Sequence, residues 1–166
     1  MRKITFPERD YNLWILLNHT RHAVYRARER ELNQYGITAE QGRLLFVVAN
    51  LGNRATPSEI AKHVFRASHT ISSLVNRTEK KGLVKRVKDL ESKKSVRIAL
   101  TERGQEVMAK VLEMDSIHKI MSGLSNSKGK QLEACLEILM RRAVHLISPD
   151  NEVDVSACRA LKRTEI

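Results

Sequence analysis

Between Ser68 and Lys80 the chain gathers side chains that donate or accept hydrogen bonds: serines, threonines, a histidine, an asparagine and two cations. Wound at 3.6 residues per turn, Ile71, Leu74, Val75 and Thr78 share one stripe. His69, Ser72, Ser73, Asn76 and Lys80 fall on the opposite face. A helix that only meets water more often shows Glu, Lys and Gln there. Short hydroxyls and amides reach base edges and phosphates at little entropic cost, and a B-DNA major groove admits a helix. Arg77 and Lys80 suit phosphates. These residues point to nucleic-acid contact.

The flanking elements supply what such a helix needs. Thr56-Pro57, with Glu59 three residues on, reads as a capped start for a helix running to about Val64. That helix braces the next one as a helix-turn-helix. Gly82 ends the second. Two β-prone segments, 83–88 and 96–100, then flank a polar tip with no Asn-Gly or Asp-Gly, which predicts a hairpin with a long loop. Lys85, Arg86, Lys88, Lys93, Lys94 and Arg97 lie on or beside it, against Asp89 and Glu91. A basic hairpin beside a recognition helix can enter a minor groove. Helix-turn-helix plus hairpin is a winged helix.

Helical periodicity accounts for the rest. A first long helix carries Tyr11, Trp14, Leu17, Val24, Tyr25 and Leu32, with Asp10 as its cap, Pro7 as a barrier before it and Gly36 as its stop. A second opens at Thr38, with Gln41 in capping-box position, carries Leu44, Leu45, Val47 and Val48, and stops at Gly52. Thr101 opens a fifth helix through Val107, Val111 and Met114. A Ser/Asn/Gly break over 122–130 precedes a sixth, striped by Leu132, Cys135, Leu136, Leu139, Ala143, Leu146 and Ile147 and ended at Ser148-Pro149-Asp150. The fold class is mainly α with a small β-hairpin wing. The apolar faces at Leu13, Leu16 and Leu17 and at Leu132, Leu136 and Leu139 exceed what one small domain hides, which predicts a homodimer.

The 30 Lys and Arg outweigh 19 Asp and Glu, a formal charge of +11 that asks for an anionic partner. No apolar run approaches the roughly 18 residues of a membrane span, and residues 1–10 lack the apolar stretch of a signal peptide. The expectation is a cytoplasmic protein without a membrane partner. Cys135 and Cys158 lie far apart and predict no disulfide. Cys135 falls in an apolar stripe and is expected to be inert, whereas Cys158 on the tail is open to oxidation. His19 and His22 share a helix face, but two histidines without a further ligand make no metal site. No cofactor is expected. The chain lacks a glycine-rich phosphate loop and a nucleophile motif, which argues against an enzyme.

"SEIAKHVFRASHTISSLVNRTEKKGLVKR" and "IALTERG" resemble the MarR family of bacterial and archaeal regulators. The first matches that family's start, its threonine-rich recognition helix and its E-K-x-G-L-V-x-R exit. The second matches the leucine-threonine-x-x-glycine that opens the helix after the wing. The resemblance covers roughly 11–147, and 58–104 is its specific part. It implies a winged helix-turn-helix at 37–104, flanked by a helical dimerisation region made of 1–36 and 105–166. It implies DNA contact at Ser68, His69, Thr70, Ser72, Ser73, Asn76 and Arg77, and a wing tip at Lys93 and Lys94. The family usually has aspartate and arginines at that tip. Phe65 and Ala67 also depart from its usual small turn residue and helix cap. A small lipophilic or aromatic effector is implied between the dimer helices and the winged helix, with Tyr11, Trp14, His19 and His22 as candidate lining. The expected function is a homodimeric regulator of transcription, a repressor, on a pseudo-palindromic duplex. The alternative is a winged-helix module for protein or RNA contact with no operator of its own.

Overall fold

A computed structural model describes residues 8–64, 68–88 and 96–147. Along the chain these form α1 (Glu8–Asn33), α2 (Ala39–Leu51), a 3-10 turn (Gly52–Arg54), α3 (Pro57–Val64), α4 (Ser68–Lys80), β1 (Val84–Lys88), β2 (Val96–Leu100), α5 (Glu102–Glu113), α6 (Asp115–Met121) and α7 (Asn126–Ile147). The strands pair antiparallel, Val84 opposite Leu100 and Lys88 opposite Val96. Ile98 N–H also donates to the Ala55 carbonyl at 2.8 Å, which ties the hairpin to the turn before α3. The architecture is a winged helix-turn-helix inserted among longer helices.

The helix starts follow their caps. Thr38 and Gln41 form the full capping box, side chain to backbone in both directions at 3.1 Å. Thr56 accepts from Glu59 N–H at 3.3 Å, but the Glu59 carboxylate turns to Lys62 at 2.7 Å, so that box is half made. The Lys62 ammonium holds the Glu59 carboxyl below its usual range. Three expectations need correction. Asp10 is not the cap of α1, which begins at Glu8; both acids sit in its first turn, where the helix dipole favours them. The fifth helix does not run through Met114: α5 ends at Glu113, because Met114 adopts a left-handed φ of 50° that redirects the chain into a separate α6. The break over 122–130 is also shorter, since Ser125 accepts from Lys128 N–H and α7 begins at Asn126.

One continuous core forms around α2, whose Leu44, Leu45, Val48 and Leu51 are buried. Ile60 and Val64 of α3 and Ile71, Leu74 and Val75 of α4 close over it, with Leu83, Val84 and Ile98 from the hairpin. Leu32 of α1 and Met108 and Val111 of α5 join the same cluster. Each large aliphatic side chain so buried contributes about 1.5–3 kcal/mol. Much of the apolar surface of α1 and α7 is exposed. Leu13, Leu16 and Leu17 are exposed on α1, and Leu132, Leu136, Leu139, Leu146 and Ile147 on α7. Cys135, expected to be inert in its apolar stripe, is exposed for the same reason: nothing among the described residues covers that stripe.

The long helices meet the core through one turn of α1. Arg28 donates to the Val111 carbonyl at the end of α5 and pairs with Glu31 at 2.7 Å. Glu29 accepts from Ala39 N–H at 2.5 Å, at the start of α2. Glu31 accepts from Asp115 N–H at 3.0 Å, from Ser116 N–H at 3.2 Å and from the Ser116 hydroxyl. Met114 offers α6 no side-chain cap, so Glu31 caps it from another helix. Burial pushes the Glu31 carboxyl up, but the Ser116 hydroxyl and amide and the Arg28 guanidinium outweigh it, and the group lies below its ordinary value.

A depressed carboxyl stabilises the fold fully above its unfolded value of about 4.5 and loses that contribution as pH falls through the folded value. Glu31→Gln should therefore cost about 1 kcal/mol at neutral pH. The gap to the unsubstituted protein should close on acidification below about pH 4.5. Thermal unfolding followed across pH 3.5–7 (about three and a half units, enough to span that window) checks both parts.

Candidate nucleic-acid interface

The packing of α4 decides which of its residues are available. Ile71 and Val75 are buried to 1% and 0% exposure, and Thr78 turns its hydroxyl inward to the Leu74 carbonyl at 2.8 Å. With that stripe fixed, His69, Ser72, Ser73, Asn76, Arg77 and Lys80 lie exposed and Thr70 half-buried. Ser68 begins the helix. The two faces separate as the periodicity requires.

Charge around α4 is less free than the sequence suggests. Arg86 of β1 pairs with the Glu79 carboxylate, and its backbone N–H donates to Glu79 Oε1 at 3.0 Å. Its Nη2 donates to Asn76 Oδ1 at 2.5 Å. Arg86 is therefore a clamp between wing and recognition helix, not one more wing cation. Lys81 is tied down too, donating to the Gly36 carbonyl at 2.6 Å and to Gln41 Oε1 at 3.1 Å. Neither the Arg86 nor the Lys81 partners were legible in the sequence alone. The only signal was the E-K-x-G-L-V-x-R string, in which Glu79 and Arg86 stand seven apart across a glycine that turns the chain at φ 68°.

The wing is seated by its base. Thr101 donates its N–H to the Leu83 carbonyl at 3.1 Å and its hydroxyl to the Gly82 carbonyl at 2.6 Å. The same hydroxyl accepts from Gly104 N–H at 3.0 Å, capping α5. Gly104 is pressed so closely on the residue before β1 that a Cβ there would stand 1.9 Å from the Leu83 carbonyl oxygen. Lys93 and Lys94, expected at the wing tip, lie outside the described residues. Arg97 is half-buried on β2, opposite Val87.

The residues considered for an effector stand apart from the winged helix. Tyr11 and Trp14 face each other with ring centroids 5.9 Å apart and are exposed. His19 and His22 are exposed farther along α1, where His22 Nε2 lies 3.1 Å from Arg21. A cavity of about 50 Å³ opens instead between α1, α2, α3 and α4. Tyr25, Glu40, Arg43, Leu44, Val64 and Thr70 are among its walls, and none of the four candidates is. Among the described residues no three His, Cys, Asp or Glu stand close enough to hold a metal ion. Among the same residues no helix is long and apolar enough to cross a membrane.

The sequence matches the model of the MarR family over residues 35–95. It is 35% identical over 91 residues to the uncharacterized HTH-type transcriptional regulator YsmB of Bacillus subtilis (strain 168). That match takes in 54% of this chain and spans 62% of the length of YsmB. Among solved structures, the organohalide-sensing transcriptional regulator RdhR-CbdbA1625 in its 2,4-dichlorophenol-bound form superimposes with a TM-score of 0.76. It is 26% identical and covers 88% of this chain and 89% of its own. The Staphylococcus aureus MepR–DNA complex gives 0.68 at the same 26% identity, over 75% of this chain and 91% of that one.

Gly104→Ala puts a methyl group against backbone that cannot swing aside. It should destabilise the protein by about 3 kcal/mol and loosen the wing base. Thermal unfolding measures the first effect; faster amide exchange at Leu83 N–H and Thr101 N–H, relative to α2, measures the second.

Proposed function

We propose that the chain is a regulator of the MarR family, a sequence-specific DNA-binding protein of transcription and not an enzyme, and that it works in the cytoplasm as a homodimer. The observation that carries this reading is the exposed Ser/Asn/Arg face of α4, held outward by a buried stripe and braced by the wing. In this reading α4 enters the major groove. Ser68, His69, Thr70, Ser72, Ser73 and Asn76 meet base edges and nearby phosphates, and Arg77 and Lys80 meet phosphates. Lys93, Lys94 and Arg97 serve the wing. The MepR complex with DNA is support from a relative of the same fold.

The homodimer rests on the bare apolar faces of α1 and α7. Residues 1–36 and 105–166 would then form the dimerisation region and 37–104 the DNA-binding unit, which sets two recognition helices against a pseudo-palindrome. Repression follows most simply, because a dimer lying across a promoter excludes the polymerase. An aromatic or lipophilic effector is part of the proposal. The dichlorophenol bound to RdhR-CbdbA1625 supports it. Its lining would come from Tyr11, Trp14, His19 and His22 once the partner chain closes over α1.

Selection of genomic duplex fragments by the full chain tests the core of this reading. Enrichment of a two-fold symmetric sequence is expected. Equal retention of random duplex and single-stranded RNA would overturn it. Lys93 and Lys94 changed together to alanine should weaken operator and random DNA alike, since lysine is a point charge suited to phosphate. The slope of log affinity against log salt should flatten by about 0.9 for each phosphate that the wing no longer neutralises. Leu136→Asp should dissociate or unfold the protein by burying an unpaired charge in the seam. Analytical ultracentrifugation reads that directly, and a folded wild-type monomer at low concentration would remove the dimer from the proposal.

A further inference from the structure

Arg86 and Asn76 lie on different elements, β1 and α4, and the wing brings them together. Arg86 is held in place by Glu79, through its guanidinium and through its backbone N–H at 3.0 Å. From there its Nη2 donates to the Asn76 amide at 2.5 Å. A guanidinium has donors and no acceptor, so the amide atom facing it must be the oxygen. Asn76 is exposed, and its Nδ2 donors are what it keeps for a partner beyond the protein.

We propose that Arg86 is a specificity-determining positioning residue: by taking the amide oxygen of Asn76 it makes that side chain read DNA as a donor alone. The inference rests on the DNA-binding reading above. An unrestrained asparagine pairs with adenine in both directions, donating to N7 and accepting from the N6 amine. To do so here, Asn76 would have to share an oxygen already turned toward β1 and charge-bonded to Arg86. Guanine needs no such sharing, because it presents only acceptors, N7 and O6, at its major-groove edge. Thymine offers a single acceptor, O4, against the two of guanine, so the base pair under Asn76 is read as guanine ahead of thymine, with adenine disfavoured. Arg86 touches no base in this arrangement; it acts through Asn76.

The test selects binders from a random duplex library with the full chain, for the wild type and for Asn76→Ala, Asn76→Asp and Arg86→Met. The position at which Asn76→Ala loses its base preference identifies the contacted pair. Guanine is expected there for the wild type. Arg86→Met, which frees the amide oxygen, should move the preference from guanine toward adenine by about five- to hundredfold and leave other positions alone. A merely structural role for Arg86 would lower affinity across the whole motif without exchanging one base for another. Asn76→Asp keeps the bond to Arg86 but carries no donor, so it should lose the guanine preference while unfolding at the wild-type temperature. If Arg86→Met does not fold, Asn76→Asp still decides whether the Asn76 donors make the contact, and guanine against adenine in the wild type decides whether the oxygen is withheld. Adenine at the contacted position in the wild type overturns the inference. So does no effect of Asn76→Ala on any position, guanine retained by Arg86→Met, or guanine retained by Asn76→Asp. In each of those cases an enriched motif leaves the DNA-binding reading standing. No enrichment by the wild type removes that reading and this inference with it.

Discussion

A helix end taken out of water needs partners for its unpaired amides or carbonyls, and one turn of α1 supplies them for three other helices. Arg28 serves the carbonyl end of α5, Glu29 the amide end of α2 and Glu31 the amide end of α6. This joint sets α2, α5 and α6 relative to α1. The start of α2 fixes the helix at the centre of the core. The end of α5 fixes the element that seats the wing through Thr101 and Gly104. Met114, a non-glycine residue in the left-handed region, adds strain of about 1–2 kcal/mol to the turn between α5 and α6. Three hydrogen bonds to Glu31 across that junction offset it.

The same turn makes α1 the lever between the two parts of the molecule. Its 26 residues extend about 39 Å as a straight helix. The bare apolar residues 13–17 are near one end and the polar joint near the other. A helix transmits rotation along its length because its backbone bonds resist local change. From the exposed Leu13, Leu16 and Leu17, α1 runs to this joint at Ala39 and Asp115, and α2 continues to the underside of α4. The cavity walled by Tyr25 of α1 and by Thr70 and Leu74 of α4 lies along that path.

How much of this was legible in the sequence depends on sequence separation. Thr38, Thr56 and Thr101 announced their helices because a cap acts over three residues. The α4 stripe was legible because burial on one side of a helix repeats every turn. The hairpin followed from β-branched runs and Gly82. Glu31 capping α6 was illegible: it joins residues more than eighty apart, and a glutamate in an arginine-rich helix looks like a surface ion. The separate α6 was hidden for the same reason, since Met114 gives no local sign of a left-handed turn. On α4, the periodicity placed His69, Ser72, Ser73, Asn76 and Lys80 outward, and they are exposed. Which of them are already engaged was not legible, because Arg86 and Lys81 look in sequence like any other surface cations.

That last distinction separates what stabilises the interface from what shapes it. The Arg86–Glu79 pair is about one-third exposed, and a pair so placed contributes on the order of 0–1 kcal/mol to stability. Its removal would barely register in an unfolding curve against the many buried aliphatic side chains beneath it. Yet it sets which atoms of Asn76 face outward and how the wing leans on α4. Buried Ile71, Leu74 and Val75 fix where the recognition helix sits, to within a packing contact. They cannot fix the rotamer of a side chain on the far side. An exposed polar clamp can, because a charge-assisted hydrogen bond is directional even where its net energy is small. What seats α4 and what orients Asn76 are therefore different residues, the buried stripe beneath the helix and the polar clamp between its outer face and β1.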